Sequence, residues 1–272
     1  MEGGETGPDG ELGAALAPLR ADPDRAAILI DVDGTLAPIV ARPTDAAVPD
    51  QTRSLLRELA ARYALVACVS GRRALDAKRV VGLDELAYSG NHGFEILLPG
   101  NTEPHPDPSL DGHDRDAAEF VAGLDRGQLD RAGMRIEDKG AIVALHWRGA
   151  ANEGEAESLA SEIAAEAEWR GLVPHRGRKV LEIRPNVAIN KGIAVAALIP
   201  AKPVDAALYG GDDRTDLDAF AALRTLAADG ELKAAVCVAV TAEEAPTEVA
   251  DAADLTVAGL PGFVELLRAL TA

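Results

Sequence analysis

Cysteine is nearly missing from this chain of 272 residues: there are two, Cys68 and Cys237. Each sits inside an apolar run, so both read as small buried side chains. A disulfide framework and a cysteine-based zinc site are excluded. Positive charge is also scarce. Lys and Arg number 27 against 45 Asp and Glu, a net charge of −18. Such a surface repels nucleic acid and anionic membranes, so neither is expected as a partner. It repels phosphorylated molecules too, so a phosphate site must reverse the field locally with a cation or backbone N–H groups. No apolar stretch is long enough to span a bilayer. The start, MEGGETGPDGE, has no basic opening and no hydrophobic segment. It does not read as a secretory signal, and the cytoplasm is the expected location. No internal repeat is found.

What is present is an ordinary globular balance, 47% hydrophobic and 26% charged. The length suits one large domain, or a core domain with a smaller insert. The Gly- and Glu-rich first ten or so residues read as disordered, and a short helix is expected near Leu12–Arg20. Ala26–Ile30 is a continuous apolar run, the mark of a strand buried on both faces of a parallel sheet. A helix over Val48–Arg62, a strand within 63–72, another helix and a strand-like piece over 86–96 follow. This alternation predicts an α/β core. Residues 99–114 are rich in Pro, Gly and Asp and read as a linker. Beyond it a helix is predicted over Ala117–Leu129 and a long Ala/Glu helix over 153–170. Alternating segments at 134–148 and 178–185 read as strands. Together they make a small α+β unit of about 75 residues. The α/β rhythm returns near Lys191, with strands at Ala206–Tyr209, Ala234–Val240 and Leu255–Val257 and a last helix over Phe263–Leu270. The expected division is 1–20 as a flexible start with a short helix, 21–110 as the first part of the core, 111–186 as the insert and 187–272 as the second part of the core.

Ligands of open α/β sheets bind beyond the carboxyl ends of the strands. Asp31 and Asp33 follow the first predicted strand, Ser70 the second, and Asp212, Asp213 and Asp216 a later one. Lys191 precedes a helix. Carboxylates crowded into one crevice repel one another unless a cation neutralises them. All the candidate ligands are oxygens, so the cation is a hard one, and few carboxylates with open positions suit Mg²⁺ better than a Ca²⁺ cage. Such a cation, a lysine and a free carboxylate fit phosphoryl transfer. The two positive groups offset charge on the phosphoryl oxygens. One carboxylate can attack phosphorus, and a second can serve as acid and then as base.

Four segments in this order, DVDGT (31–35), VSGR (69–72), NKG (190–192) and GDDRTD (211–216), resemble the four motifs of the haloacid dehalogenase (HAD) phosphatase superfamily. The resemblance implies a Rossmann-like parallel-sheet core with an inserted α+β cap domain. It implies Asp31 as nucleophile, Asp33 as acid/base, Ser70 as a phosphoryl ligand, Gly71 and Arg72 beside it as substrate-binding residues, and Lys191 as the charge-stabilising residue. Mg²⁺ would be held by Asp31, the Asp33 carbonyl and Asp212, with Asp213 or Asp216 in support. SGNHGFEI (89–96), KGAIVALHWR (139–148) and KVLEIRP (179–185) further resemble trehalose-6-phosphate phosphatases, from about residue 24 onward. Carried over residue by residue, Asn91, His92, Glu137, Lys139, His146, Arg148, Lys179, Glu182 and Asn186 become candidate sugar contacts. One position departs from the family: Leu217 follows Asp216 where an acidic residue is usual. The implied activity is Mg²⁺-dependent hydrolysis of trehalose 6-phosphate, coupled functionally to a trehalose-6-phosphate synthase. Sucrose 6-phosphate or glucosylglycerol phosphate as substrate, and a silent regulatory domain, are the alternatives.

Each candidate also has a purely structural reading. Asp31 and Asp33 can cap a turn. Ser70 and the GDDRTD acids can cap helices. Lys191 can be a solvated lysine at a helix start. Asn91-His92-Gly93 can be a turn with positive φ. His146 and Arg148, and likewise Lys179, Glu182 and Arg184, alternate with apolar residues and can be a solvated strand face.

Overall fold

The computed structural model describes residues 8–40, 42–199, 203–242 and 246–272. It opens with helix α1 (Pro8–Ala21), strand β1 (Ala26–Ile30), helix α2 (Asp50–Arg62), strand β2 (Leu65–Val69), helix α3 (Ala74–Val81) and strands β3 (Ala87–Gly90), β4 (Glu95–Leu97) and β5 (His105–Pro106). Next come helices α4 (Asp116–Ala122) and α5 (Arg126–Arg131), strands β6 (Arg135–Asp138) and β7 (Val143–His146), helix α6 (Glu153–Trp169), and strands β8 (Val173–Gly177) and β9 (Val180–Arg184). The chain ends with helix α7 (Lys191–Leu198), strand β10 (Ala206–Gly211), helix α8 (Asp216–Ala228), strand β11 (Ala234–Thr241), helix α9 (Thr247–Ala252), strand β12 (Leu255–Ala258) and helix α10 (Gly259–Thr271). Among the described residues no helix is long and apolar enough to cross a membrane. The expected disordered start falls partly on residues 1–7, outside the described residues; from Pro8 onward the chain is helical.

Two compact units emerge. One comprises the described residues up to His105 together with Ile189–Ala272, and the other is Pro106–Ala188. In the first, an eight-stranded sheet runs in the order β12-β11-β10-β1-β2-β3-β4-β5. Pairing is parallel from β12 to β3 and turns antiparallel at β4. β1 shows why an uninterrupted apolar run belongs at the centre of such a sheet. All five residues are buried, and alternate side chains feed opposite faces. Ala26, Ile28 and Ile30 pack with Leu16, Leu56, Val80 and Leu267. Ala27 and Leu29 pack with Val195, Phe220 and Leu223. Leu217, the departure noted above, packs against this second face.

The second unit has a four-stranded antiparallel sheet, β6-β7-β9-β8. Val143, Leu145, Leu181 and Ile183 pack with Phe120, Leu129, Leu159 and Ile163 of the helices. Three expectations need correction. The helix over 117–129 is two helices: Asp125 Oδ1 accepts the N–H groups of Gly127 (2.8 Å) and Gln128 (3.2 Å) and starts a new one. The piece over 86–96 is not one strand, because Asn91 and His92 adopt φ of 51° and 60° and turn the chain back into β4. The unit also contains β8, which sequence reading did not find. Four of its five residues are exposed and its second is proline, so it lacks the alternation that marks a half-buried strand.

Candidate active site

β1 lies between β10 and β2, so the chain leaves it toward one side of the sheet and returns on the other. This reversal opens a crevice at the strand ends. Asp31 follows β1, held by its N–H bond to the Gly210 carbonyl (2.9 Å). Its Oδ1 accepts from Lys191 Nζ at 2.6 Å. Lys191 opens α7, whose entry is set by Asn190 Oδ1 accepting from Ile193 N (3.0 Å). Lys191 is 2% exposed, so the solvated-lysine reading fails. Its ammonium also donates to Asp216 Oδ1 (2.7 Å).

Asp216 is fully buried and surrounded by donors. Oδ1 accepts from the Tyr209 hydroxyl at 2.7 Å as well as from Lys191. Oδ2 accepts the N–H groups of Asp212 (2.9 Å) and Asp213 (3.0 Å). Asp216 thereby shapes the loop that presents Asp212. Asp212 Oδ1 accepts from Thr35 Oγ1 (3.2 Å). Asp213 turns to Thr215, accepting its N–H (2.7 Å) and hydroxyl (2.6 Å). Gly34 permits this closeness: its φ is +93°, and a Cβ there would stand 2.1 Å from Asp212 Oδ2.

Carboxylate oxygens of Asp31, Asp212 and Asp216 lie within 4.8 Å of one another, the one such group among the described residues. Burial pushes the Asp31 carboxyl well up; Lys191 opposes this and the neighbouring acids add to it. Burial, Asp216 and Asp213 push Asp212 up to about 7. Burial works against charge on Lys191, but Asp216 and Asp31 outweigh it and hold the ammonium well above its usual range. One lysine against three carboxylates leaves an excess of negative charge, and every donor is a hard oxygen. The set fits a divalent cation such as Mg²⁺.

Beside this cluster two turns are laced together. Asn91 N donates to the Arg72 carbonyl (2.7 Å) and His92 N to the Ser70 carbonyl (2.9 Å). Ser70 Oγ accepts from Arg72 N (3.1 Å). Gly71 admits the His92 ring, which a Cβ would meet at 2.7 Å. Asn91-His92 is therefore a positive-φ turn, as the structural reading held, and it also borders the Ser70 loop. Arg72 sends Nε and Nη2 to the two carboxylate oxygens of Asp33, both at 2.7 Å.

The second unit gathers some of its candidates on the sheet face away from the helices. Glu182 Oε1 accepts from Lys139 Nζ (2.8 Å) and Oε2 from Arg184 Nη2 (2.6 Å). On the same sheet, Glu137 Oε2 bonds the His146 ring (2.7 Å), and this contact draws the Glu137 carboxyl below its usual range. Arg148 and Lys179 make other contacts. Arg148 bonds the Arg178 carbonyl (3.3 Å), and Lys179 pairs with Glu153. Asn186 lines a different recess, with His113, Phe120 and Arg170. Sequence reasoning missed Thr35 and Tyr209. Arg184, which alternation already set beside Glu182 on the polar strand face, does lie there and donates to its carboxylate. His175 stands opposite Glu182 in the β8–β9 register.

Solved structures share this architecture. A haloacid dehalogenase-like hydrolase from Bacteroides thetaiotaomicron superposes with a TM-score of 0.64 at 15% identity, over 89% of this chain and 98% of that one. The fold is thus that of the haloacid dehalogenase-like hydrolases. A trehalose-6-phosphate phosphatase related protein reaches a TM-score of 0.69 at 25% identity, over 89% and 95%. Residues 29–254 match the trehalose-phosphatase family, and the chain belongs to it. A trehalose-phosphate phosphatase of Mycobacterium marinum is 36% identical over 213 residues, 73% of this chain and 52% of that one. A probable trehalose-phosphate phosphatase of Oryza sativa subsp. japonica is 34% identical over 214 residues, 72% and 55%. The chain spans about half the length of these curated relatives, and 15% of an uncharacterized glycosyl hydrolase of Mycobacterium tuberculosis.

Proposed function

We propose that the chain hydrolyses trehalose 6-phosphate to trehalose and inorganic phosphate, with Asp31 carrying the phosphoryl group between two half-reactions. The observation that carries this reading is the Asp31 carboxylate 2.6 Å from the buried Lys191 ammonium, at a strand end beside further carboxylates. An Asp31 oxygen attacks phosphorus, and the bond from phosphorus to the sugar oxygen breaks with its electron pair on that oxygen. Asp33 supplies the proton that makes it a hydroxyl. Asp33, now a carboxylate, takes a proton from water. The resulting hydroxide attacks phosphorus, and the bond to Asp31 breaks to give phosphate.

Lys191 and Ser70 receive the phosphoryl oxygens, and Asp216 and Tyr209 keep the lysine in place. Asp31 and Asp212 would hold Mg²⁺, with the Asp33 carbonyl. The cation supplies charge neutralisation at the phosphoryl oxygens. The polar sheet face around Glu182 and Lys139 offers the donors and acceptors that disaccharide hydroxyls pair with. On this reading the substrate comes from a trehalose-6-phosphate synthase, and two thiols left free fit a reducing compartment such as the cytoplasm.

The test is phosphate release from trehalose 6-phosphate, sucrose 6-phosphate and glucosylglycerol phosphate, with Mg²⁺ and with EDTA. Preference for the trehalose ester, lost with EDTA, is expected. Asp31→Asn lowers kcat on the order of 10³-fold or more while the fold stays intact, as circular dichroism reads it. Preference for another ester moves the substrate, and no release from any of them marks a silent domain.

A further inference from the structure

The resemblance makes Arg72 a substrate ligand; its contacts give it another task. Nε and Nη2 form a fork on both oxygens of Asp33, at 2.7 Å each. Nη1 donates to the Pro43 carbonyl at 3.0 Å. Each terminus of the guanidinium thus has an acceptor from the Asp33 side of the crevice. The Arg72 side chain is 16% exposed and that of Asp33 35% exposed. The fork is therefore partly withdrawn from water, where a bidentate contact fixes orientation as well as charge.

Asp33 needs such a fixture. It follows β1 in a turn, where its neighbour Gly34 has positive φ and bonds Ala37 through the backbone (2.8 Å). No helix or strand restrains its side chain, yet a carboxylate that takes a proton from water must be aimed to within hydrogen-bond reach of that water. We infer that Arg72 is a positioning residue. It holds the Asp33 carboxylate toward the attacking water, and does so by spanning from the Pro43 carbonyl to both Asp33 oxygens rather than by holding phosphate. The inference rests on the proposed role of Asp33.

The experiment uses the full chain with Mg²⁺, comparing Arg72→Ala, Asp33→Asn and the double variant. Trehalose 6-phosphate turnover and inorganic phosphate binding by calorimetry are the readouts. Arg72→Ala is expected to lower kcat ten- to a hundredfold, part of the 10²–10⁴-fold range of a general acid–base group. The Kd for phosphate stays within about twofold, because no phosphoryl contact is lost. Adding Arg72→Ala to Asp33→Asn changes kcat by less than about twofold, because the group it acts through is gone. A tenfold weaker phosphate Kd, or an equal loss in both backgrounds, overturns the inference. If Asp33→Asn leaves no measurable turnover, the phosphate arm decides. If it turns over like wild type, the acid/base reading itself has failed, whatever Arg72→Ala does. Should Arg72→Ala fold poorly, Arg72→Lys replaces it, since one ammonium cannot fork both oxygens.

Discussion

Single side chains in the site are held by more partners than their chemistry alone requires. Asp216 accepts from an ammonium, a phenol and two backbone N–H groups, so its negative charge is fully matched by donors although it is sealed from water. Hydrogen bonds to a buried charge are worth about 1.5–3 kcal/mol each. Tyr209→Phe removes one without opening a cavity. It should lower unfolding stability by roughly that amount and reduce kcat, since Asp216 steadies both Lys191 and the loop of Asp212. Denaturant unfolding and a phosphatase assay read the two effects. An unchanged denaturation midpoint would show that the phenol contributes nothing.

At the level of elements, strand spacing decides which candidates share a surface. Glu182 and Arg184 are two apart on β9 and project to one side, while Leu181 and Ile183 enter the core. Lys139 reaches the same carboxylate from the loop between β6 and β7. Removing the carboxylate leaves two cations side by side on a little-exposed face. Glu182→Ala should therefore cut kcat/KM for trehalose 6-phosphate at least about tenfold, and for p-nitrophenyl phosphate far less, because the latter has no sugar hydroxyls to pair. Equal losses on the two substrates would remove Glu182 from sugar recognition.

The whole molecule carries a net charge of −18 and concentrates three acidic groups just beyond the carboxyl ends of β1 and β10. The cation-free protein binds a proton at Asp212 more tightly than the unfolded chain does, since its pKa is raised to about 7 from 3.8. That contribution to stability is complete below about pH 4 and is lost as pH rises through 7. A divalent cation takes the proton's place. The rise in melting temperature on adding Mg²⁺ should accordingly be larger at pH 8 than at pH 6, measured by thermal denaturation with and without EDTA. The reverse order would exclude Asp212 as a cation ligand.

How far the chain could be read without coordinates follows from how local each signal is. β1 was legible because a strand buried on both faces needs an apolar residue at every position. The break between α4 and α5 was harder, because Asp125 competes for the backbone inside a segment with helical spacing. β8 left no trace, since its pairing with β9 is made by backbone groups that any sequence carries. The partner of the Tyr209 hydroxyl depends on where α8 packs, which the tyrosine itself does not encode.

The order of residues alone determined the kind of chemistry available: carboxylates and one lysine placed where parallel strands end, with no soft ligand among them. Only the tertiary structure decided the pairing, that Lys191 meets Asp31 across 160 residues and that Arg72 takes hold of Asp33. The physical reason is range. Burial patterns repeat every two or four residues along the chain, whereas a hydrogen bond between distant segments exists only once both have been brought within 3 Å or so by the packing of everything between them.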